Sequence, residues 1–259
     1  MMESNRIRGR TVLVTGATSG IGEACARAFA SRGAHPVLLA RRADRLAALA
    51  GELESDHGVP VRTVVLDVRD RAGVLDLART LHEDGIVPDV LINNAGLARG
   101  LGSVQEGSFE DWDEMIDTNV KGLLNVTRAF LPRMIERGRG HVINIGSIAG
   151  RQVYPNGNVY NATKFAVRAL NEAMYIDTLG TPIRVSSIDP GLVETEFSLV
   201  RFRGDRDRAD AVYRGTRPLS AEDVADAVLY VANAPEHVNV LEMVILPTAQ
   251  RSATLVDRD

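Results

Sequence analysis

The sequence has one cysteine, Cys25, in 259 residues. A single thiol excludes a disulfide framework within the chain and any zinc site built from several cysteines. Histidine is scarce too. His35, His57, His82, His141 and His237 are scattered without the spacing of metal ligands, which speaks against a metal enzyme. No apolar run reaches the ~18 residues that a membrane span needs. The opening stretch, MMESNRIRGR, lacks the apolar core of a signal peptide. Basic charge is not in excess: 30 Lys and Arg against 34 Asp and Glu give a formal net charge of -4. That balance argues against a nucleic-acid binder held by general electrostatics. Lysine is nearly missing, since Lys121 and Lys164 are the only two among the 30 basic residues. A lysine is therefore a departure from the chain's habit. What is present is ordinary: 45% hydrophobic and 25% charged residues describe a globular chain. A soluble, cytoplasmic enzyme or binding domain is expected.

Short apolar runs alternate with longer helical patterns. Thr11 to Thr15, Pro36 to Ala40, Val61 to Leu66, Val90 to Ile92, Val142 to Ile145, Ile183 to Ile188 and Val240 to Leu246 read as seven strands. Helices are expected over Gly22 to Ser31, Asp44 to Leu53, Val74 to Leu81, Phe109 to Ile135, Val159 to Leu179 and Ala221 to Ala232. The strands are nearly continuous apolar runs, as when both faces of a sheet are buried. The alternation predicts an α/β fold: one doubly wound domain, a parallel seven-stranded sheet with helices on both faces. No linker or internal repeat divides the chain. The segment from about 194 to 216 breaks the pattern, being polar, rich in arginine and without a strand.

In such a sheet, ligands bind beyond the carboxyl ends of the strands. Five strand ends carry small or polar residues. The first is followed by Thr15-Gly16-Ala17-Thr18-Ser19-Gly20-Ile21-Gly22, and the third by Asp67-Val68. The fourth leads into Asn93-Asn94-Ala95-Gly96, the fifth into Gly146-Ser147 and the sixth into Asp189-Pro190-Gly191. The glycines permit a tight turn and close backbone approach to a pyrophosphate at a helix N-terminus. At the second strand end an acid would bind the ribose hydroxyls of NAD. The chain has Ala40-Arg41-Arg42 there instead, and an arginine fork suits a 2′-phosphate. The cofactor expected from this end is NADP(H).

Tyr160 and Lys164 are spaced i, i+4 and so share one helix face. A free tyrosine has a pKa of about 10 and is a poor acid-base catalyst at neutral pH. A neighbouring cation favours the phenolate, and Lys164 is placed to supply it. Ser147, at the end of the fifth strand, is expected to face the same helix.

These residues, in this order, resemble the short-chain dehydrogenase/reductase family in its compact single-domain form. The resemblance rests on Thr15-Gly16-x3-Gly20-Ile21-Gly22, Asn93-Asn94-Ala95-Gly96, Asn119, Ser147, Tyr160-x3-Lys164 and Pro190-Gly191, and it runs through essentially the whole chain. It implies a Rossmann-type sheet, a nicotinamide cofactor and hydride transfer between an alcohol and a carbonyl. It implies catalytic roles for Asn119, Ser147, Tyr160 and Lys164, with Asn119 supporting a water that links Lys164 to solvent. It implies that Asp67 holds the adenine and that Thr195 approaches the nicotinamide carboxamide. Cofactor contacts are expected from Gly16, Thr18, Ser19, Gly20, Ile21, Gly22, Arg41, Arg42, Asp67, Val68, Asn93, Ala95, Gly96, Pro190, Gly191, Val193 and Thr195, besides Tyr160 and Lys164.

A narrower likeness runs through Trp112-x2-Met115-Ile116-Asp117-Thr118-Asn119, Gly157-Asn158-Val159-Tyr160, Thr195-Glu196-Phe197-Ser198, Arg201-Phe202-Arg203-Gly204-Asp205 and the ending Leu241-Glu242-Met243…Pro247-Thr248-Ala249-Gln250. These look like the NADP-dependent 3-hydroxy acid (serine-type) dehydrogenases, commonly homotetramers. The branch is also similar to reductases of other aldehydes and ketones. Two alternatives stay open: a 3-oxoacyl carrier-protein reductase, and a non-catalytic NADP(H)-sensing protein, since a fold does not fix a function. The segment at about 194 to 216 is expected to close over the substrate as a lid, with Arg201 or Arg203 gripping a carboxylate. A solvated surface helix that pairs its own charges is the plain alternative for that segment.

Overall fold

Side chains of both parities are apolar along the inner strands, and alternate residues point to opposite faces. Such a strand is stable only between two layers. The computed structural model, which describes residues 5–259, has that arrangement. The first four residues of the opening stretch lie outside the described residues. Seven parallel strands run in the order β3-β2-β1-β4-β5-β6-β7. They are β1 (Thr11–Thr15), β2 (His35–Ala40), β3 (Arg62–Val65), β4 (Val90–Asn93), β5 (Gly140–Ile145), β6 (Ile183–Pro190) and β7 (Glu242–Ile245). On one face, α1 (Gly20–Ser31), α2 (Ala43–His57) and α9 (Ala221–Ala232) pack on Val12, Val14, Leu38 and Ile143. On the other, α3 (Arg71–Glu83), α5 (Leu123–Arg137) and α6 (Asn158–Asp177) cover Leu13, Leu91, Val142 and Val185. The consecutive residues Val12, Leu13 and Val14 thus alternate between the two cores.

The expected doubly wound domain is therefore present, with two local differences. β3 and β7 are half-exposed and not buried on both faces, because they form the sheet edges and have a neighbour on one side only. The long helical region after Phe109 is α4 (Phe109–Ile116), a π-helical turn (Asp117–Gly122) and then α5. A π turn inserts a residue and re-aims the side chains that follow it. Here it faces Asn119 into the interior, where it is 2% exposed. The segment after β6 has no strand, as expected. It folds into α7 (Glu196–Arg201) and α8 (Arg206–Ala211), capped by Thr195 and Asp205, whose side chains accept the Phe197 and Arg208 amides. Among the described residues no helix is long and apolar enough to cross a membrane.

Candidate active site

The carboxyl ends of the strands open into one cleft of about 610 Å³. Its floor begins at the glycine turn after β1. Gly16 has φ +67, a left-handed conformation that a Cβ disfavours. Gly22 fails differently: a Cβ there would lie 2.4 Å from the Gly16 carbonyl and from Asn94 Nδ2. The turn can therefore bring its backbone close to a ligand only with glycine at these places. Asn94 braces it, donating Nδ2 to the Thr15 carbonyl at 2.9 Å, while its own amide donates to Thr15 Oγ1 at 3.0 Å. Thr18, Ser19, Gly20 and Ile21 line the cleft above this floor. The exposed backbone of such a turn at the start of α1 fits a pyrophosphate.

Around the rim, Arg41, Arg42, Asp67 and Val68 line one end. Arg42 donates Nε to Thr18 Oγ1 at 3.1 Å and Nη2 to the Thr18 carbonyl at 3.0 Å. Arg41 lies 3.7 Å from Asp67, whose carboxylate Arg69 also grips at 2.7 Å. Although partial burial works against its charge, these guanidinium contacts hold the Asp67 carboxyl below the usual range. Ala95, Gly96, Pro190, Gly191, Val193 and Thr195 line the rest of the channel.

At the other end stand Ser147, Tyr160 and Lys164. Ser147 follows β5 in an extended conformation, and its Oγ accepts the Ala149 amide at 3.1 Å. Tyr160 is 9% exposed, with its ring 5.5 Å from that of Phe197. Lys164 is one turn further along α6, donates Nζ to the Ile145 carbonyl at 2.8 Å, and lies 5.9 Å from the Tyr160 ring. The Arg201 guanidinium is closer, at 5.1 Å from that ring.

The electrostatics correct one expectation. Burial outweighs the neighbouring cation and pushes the Tyr160 phenol above its ordinary value, with Tyr154 acting in the same direction. Arg201 and the Ser147 hydroxyl pull it back. Lys164, which was expected to do so, spends its ammonium on the Ile145 carbonyl. Burial also depresses Lys164 itself to about 8, with Asp189 opposing. A stability signature follows. Between about pH 8 and the unfolded lysine value of about 10.4, the unfolded chain holds a proton there that the folded chain has lost. Stability of the wild type, relative to Lys164→Met, should therefore rise with pH from about 8 until the unfolded lysine itself loses its proton at about 10.4, while the tyrosines, common to both proteins, cancel in the difference. Denaturant melts of both proteins across that window check it; a flat difference would contradict the buried, depressed lysine.

Four anticipated site residues are placed otherwise. Asn93 does not line the cleft. Its Nδ2 bonds Thr127 Oγ1 and Asn144 Oδ1, both at 2.9 Å, deep between the sheet and α5. Gly22 lies beneath the turn and acts through packing. Asn119 is also outside the cleft. Its Oδ1 accepts the Leu97 amide at 2.8 Å, and its Nδ2 donates to the Leu97 carbonyl and to Thr163 Oγ1. These bonds tie the loop after β4 to the helix of Tyr160 and Lys164. Both N–H donors of the Asn119 side chain are thus used within the protein. Arg203, at φ +52, turns out to solvent and pairs with Asp111. Arg201 does the reverse. It is 9% exposed and touches the Tyr154 hydroxyl, and its buried Nε has no partner. Its aromatic surround of Tyr154, Tyr160 and Phe197 excludes water. Tyr154, Arg45 and Gln250 were not anticipated. Tyr154 lies in a loop without periodicity, Arg45 reads as an ordinary helix arginine, and Gln250 reaches back from the last segment to accept the Leu192 amide at 2.9 Å.

Known proteins resemble this chain in sequence and fold. A family described as short chain dehydrogenase matches residues 10–204. The NADP-dependent 3-hydroxy acid dehydrogenase YdfG of Salmonella typhimurium is 49% identical over 245 residues, 94% of this chain and 97% of that protein. Sulfoacetaldehyde reductase 2 of Chromohalobacter salexigens is 48% identical over 250 residues, 96% of this chain and 98% of the relative. The closed form of serine dehydrogenase complexed with NADP+ superposes with a TM-score of 0.89 at 45% identity, covering 96% of this chain and 100% of that one.

Proposed function

The chain belongs to the short chain dehydrogenase family, and from that premise we propose an NADP(H)-dependent oxidoreductase acting on small alcohols or carbonyls that carry an anionic group. A 3-hydroxy acid of the serine type, or an acidic aldehyde, has the required shape. The observation that carries this reading is Arg201, buried beside Tyr160 with its Nε–H unpaired. A buried guanidinium seeks an anion, and its planar fork suits a carboxylate or sulfonate.

The glycine turn would hold the cofactor's pyrophosphate, Arg41 and Arg42 its 2′-phosphate, and Thr195 and Lys164 its nicotinamide half. When bound, NADP(H) supplies or accepts the hydride. The rest falls to this chain. Tyr160 holds the proton that moves to the substrate oxygen in reduction and leaves it in oxidation. Ser147 hydrogen-bonds the same oxygen and fixes its position. Arg201 grips the anionic end and sets which carbon faces the cofactor. Burial favours the protonated form of Tyr160, which is the form that donates in reduction.

We propose α7 and α8 as a lid over this end. Arg99 Nη1 donates to the Val200 carbonyl at 2.7 Å, and the Gly100 amide to the Arg201 carbonyl at 2.9 Å, so the lid rests on the loop after β4. Assembly as a homotetramer is part of the proposal. Phe109, Ile116, Leu124, Phe165, Tyr175 and Ile176 leave apolar surface exposed along α4–α6. Sedimentation of the purified chain measures that state.

The test of function is a substrate screen following NADPH absorbance, with carboxylate, sulfonate and uncharged carbonyls and the corresponding alcohols. Turnover of anionic substrates with NADPH well above NADH is expected. Equal use of both cofactors, or no turnover across the panel, contradicts the proposal; NADPH binding without turnover would indicate a sensing protein.

A further inference from the structure

Glu196, the first residue of α7, lines the cofactor end of the cleft. Its carboxylate accepts from Arg42 Nη1 at 3.0 Å and from Arg45 Nη1 at 2.8 and 3.0 Å. Thr18 holds Arg42 from the other side with two bonds. Three of the five N–H donors of Arg42 are thus used, and the remaining two share a guanidinium already neutralised by a carboxylate. Arg41, the next cation along the rim, leans to Asp67. One acid from the lid therefore balances two cations of the cofactor end.

A 2′-phosphate carries negative charge and several acceptor oxygens, and it needs the donors of Arg42, which lines the cleft. It would meet Glu196 as a like charge across one shared arginine, Arg42. NAD(H), with free ribose hydroxyls at that place, makes no such demand and leaves the bridge undisturbed.

We propose that Glu196, itself held by Arg45, competes with the cofactor's 2′-phosphate for Arg42, and so limits how strongly the protein discriminates NADP(H) from NAD(H). The inference rests on the NADP(H) reading above. It makes Glu196 a specificity-determining residue, placed on the segment that also carries Phe197 and Arg201. The contest for phosphate therefore takes place on the lid itself.

The test is direct titration of NADP+ and of NAD+ into the wild type and Glu196→Gln at low and high salt. The glutamate is half-exposed at the cleft rim, so the variant is expected to fold. NADP+ should bind roughly twofold to fivefold tighter to the variant at low salt, the scale of an exposed ion pair. NAD+ should bind both proteins alike, and the NADP+ difference should shrink at high salt by screening. Weaker NADP+ binding by the variant would overturn the inference, since Glu196 would then be orienting the arginines in support of the phosphate. Equal changes for both cofactors, or no change, would overturn it as well. Failure of the NADP(H) reading is distinguishable, because it appears in the wild type as equal affinity for the two cofactors.

Discussion

Tyr160→Phe is expected to lower turnover by about 10²–10⁴, the usual contribution of a positioned general acid or base. The substitution removes one oxygen and keeps the ring. Packing should survive, because the contacts with Phe197 and Arg201 are made by the ring face. Cofactor affinity should change little. The loss should fall on the chemical step in both directions, since one hydroxyl serves as acid in reduction and as base in oxidation. Ser147 cannot substitute, having no neighbouring group that makes it acidic at neutral pH. Single-turnover kinetics with the bound cofactor followed by absorbance isolate that step. Turnover within a few-fold of the wild type would remove Tyr160 from the proton path and leave the cleft without an evident donor.

Much of this was legible in the sequence, for physical reasons that can be named. The inner strands had to be buried on two faces, and the helix read over Ala221 to Ala232 has those bounds in the structure, where Ser220 and Asp223 form a capping box at its start. The glycine turn and the Tyr160–Lys164 pair are local patterns, so spacing alone places them. What spacing did not give is direction. Asn93 and Asn94 are adjacent, and strand alternation sends one inward and the other to the cleft. Arg201 and Arg203 are two apart, yet the end of α7 turns one into an aromatic pocket and the other to Asp111. The charge state of Tyr160 was equally hidden. It depends on the protein surrounding the phenol, which comes from segments far apart in the chain.

Arg201→Ala is expected to lower kcat/KM on an anionic substrate by roughly 10- to 150-fold, the worth of one charge-assisted hydrogen bond at ~1.5–3 kcal/mol. On an uncharged substrate of similar size the loss should stay within a few-fold, because no anion is there to leave unpaired. The comparison matters more than either number. Alanine also opens space among Tyr154, Tyr160 and Phe197, and that cost is common to both substrates. Arg201→Lys adds a second control: it keeps the charge and loses the fork, so partial recovery on the anion is expected. Arg203→Ala should alter neither activity, as its side chain is committed to Asp111 outside the cleft. Equal losses on both substrates in Arg201→Ala would assign the arginine to packing and move the anion site elsewhere.

The single thiol has a practical meaning. Cys25 sits on the core side of α1, fully buried, and burial pushes its pKa up to about 12. A sulfur that is neither reachable nor ionised does not react with maleimide or methanethiosulfonate reagents under native conditions. The natural chain is thus a silent background for labelling. One cysteine introduced on the exposed face of α8, and another on α2, would be the only attachment points for a spin label or fluorophore pair, and the span across the cleft could be read in solution with every native residue retained.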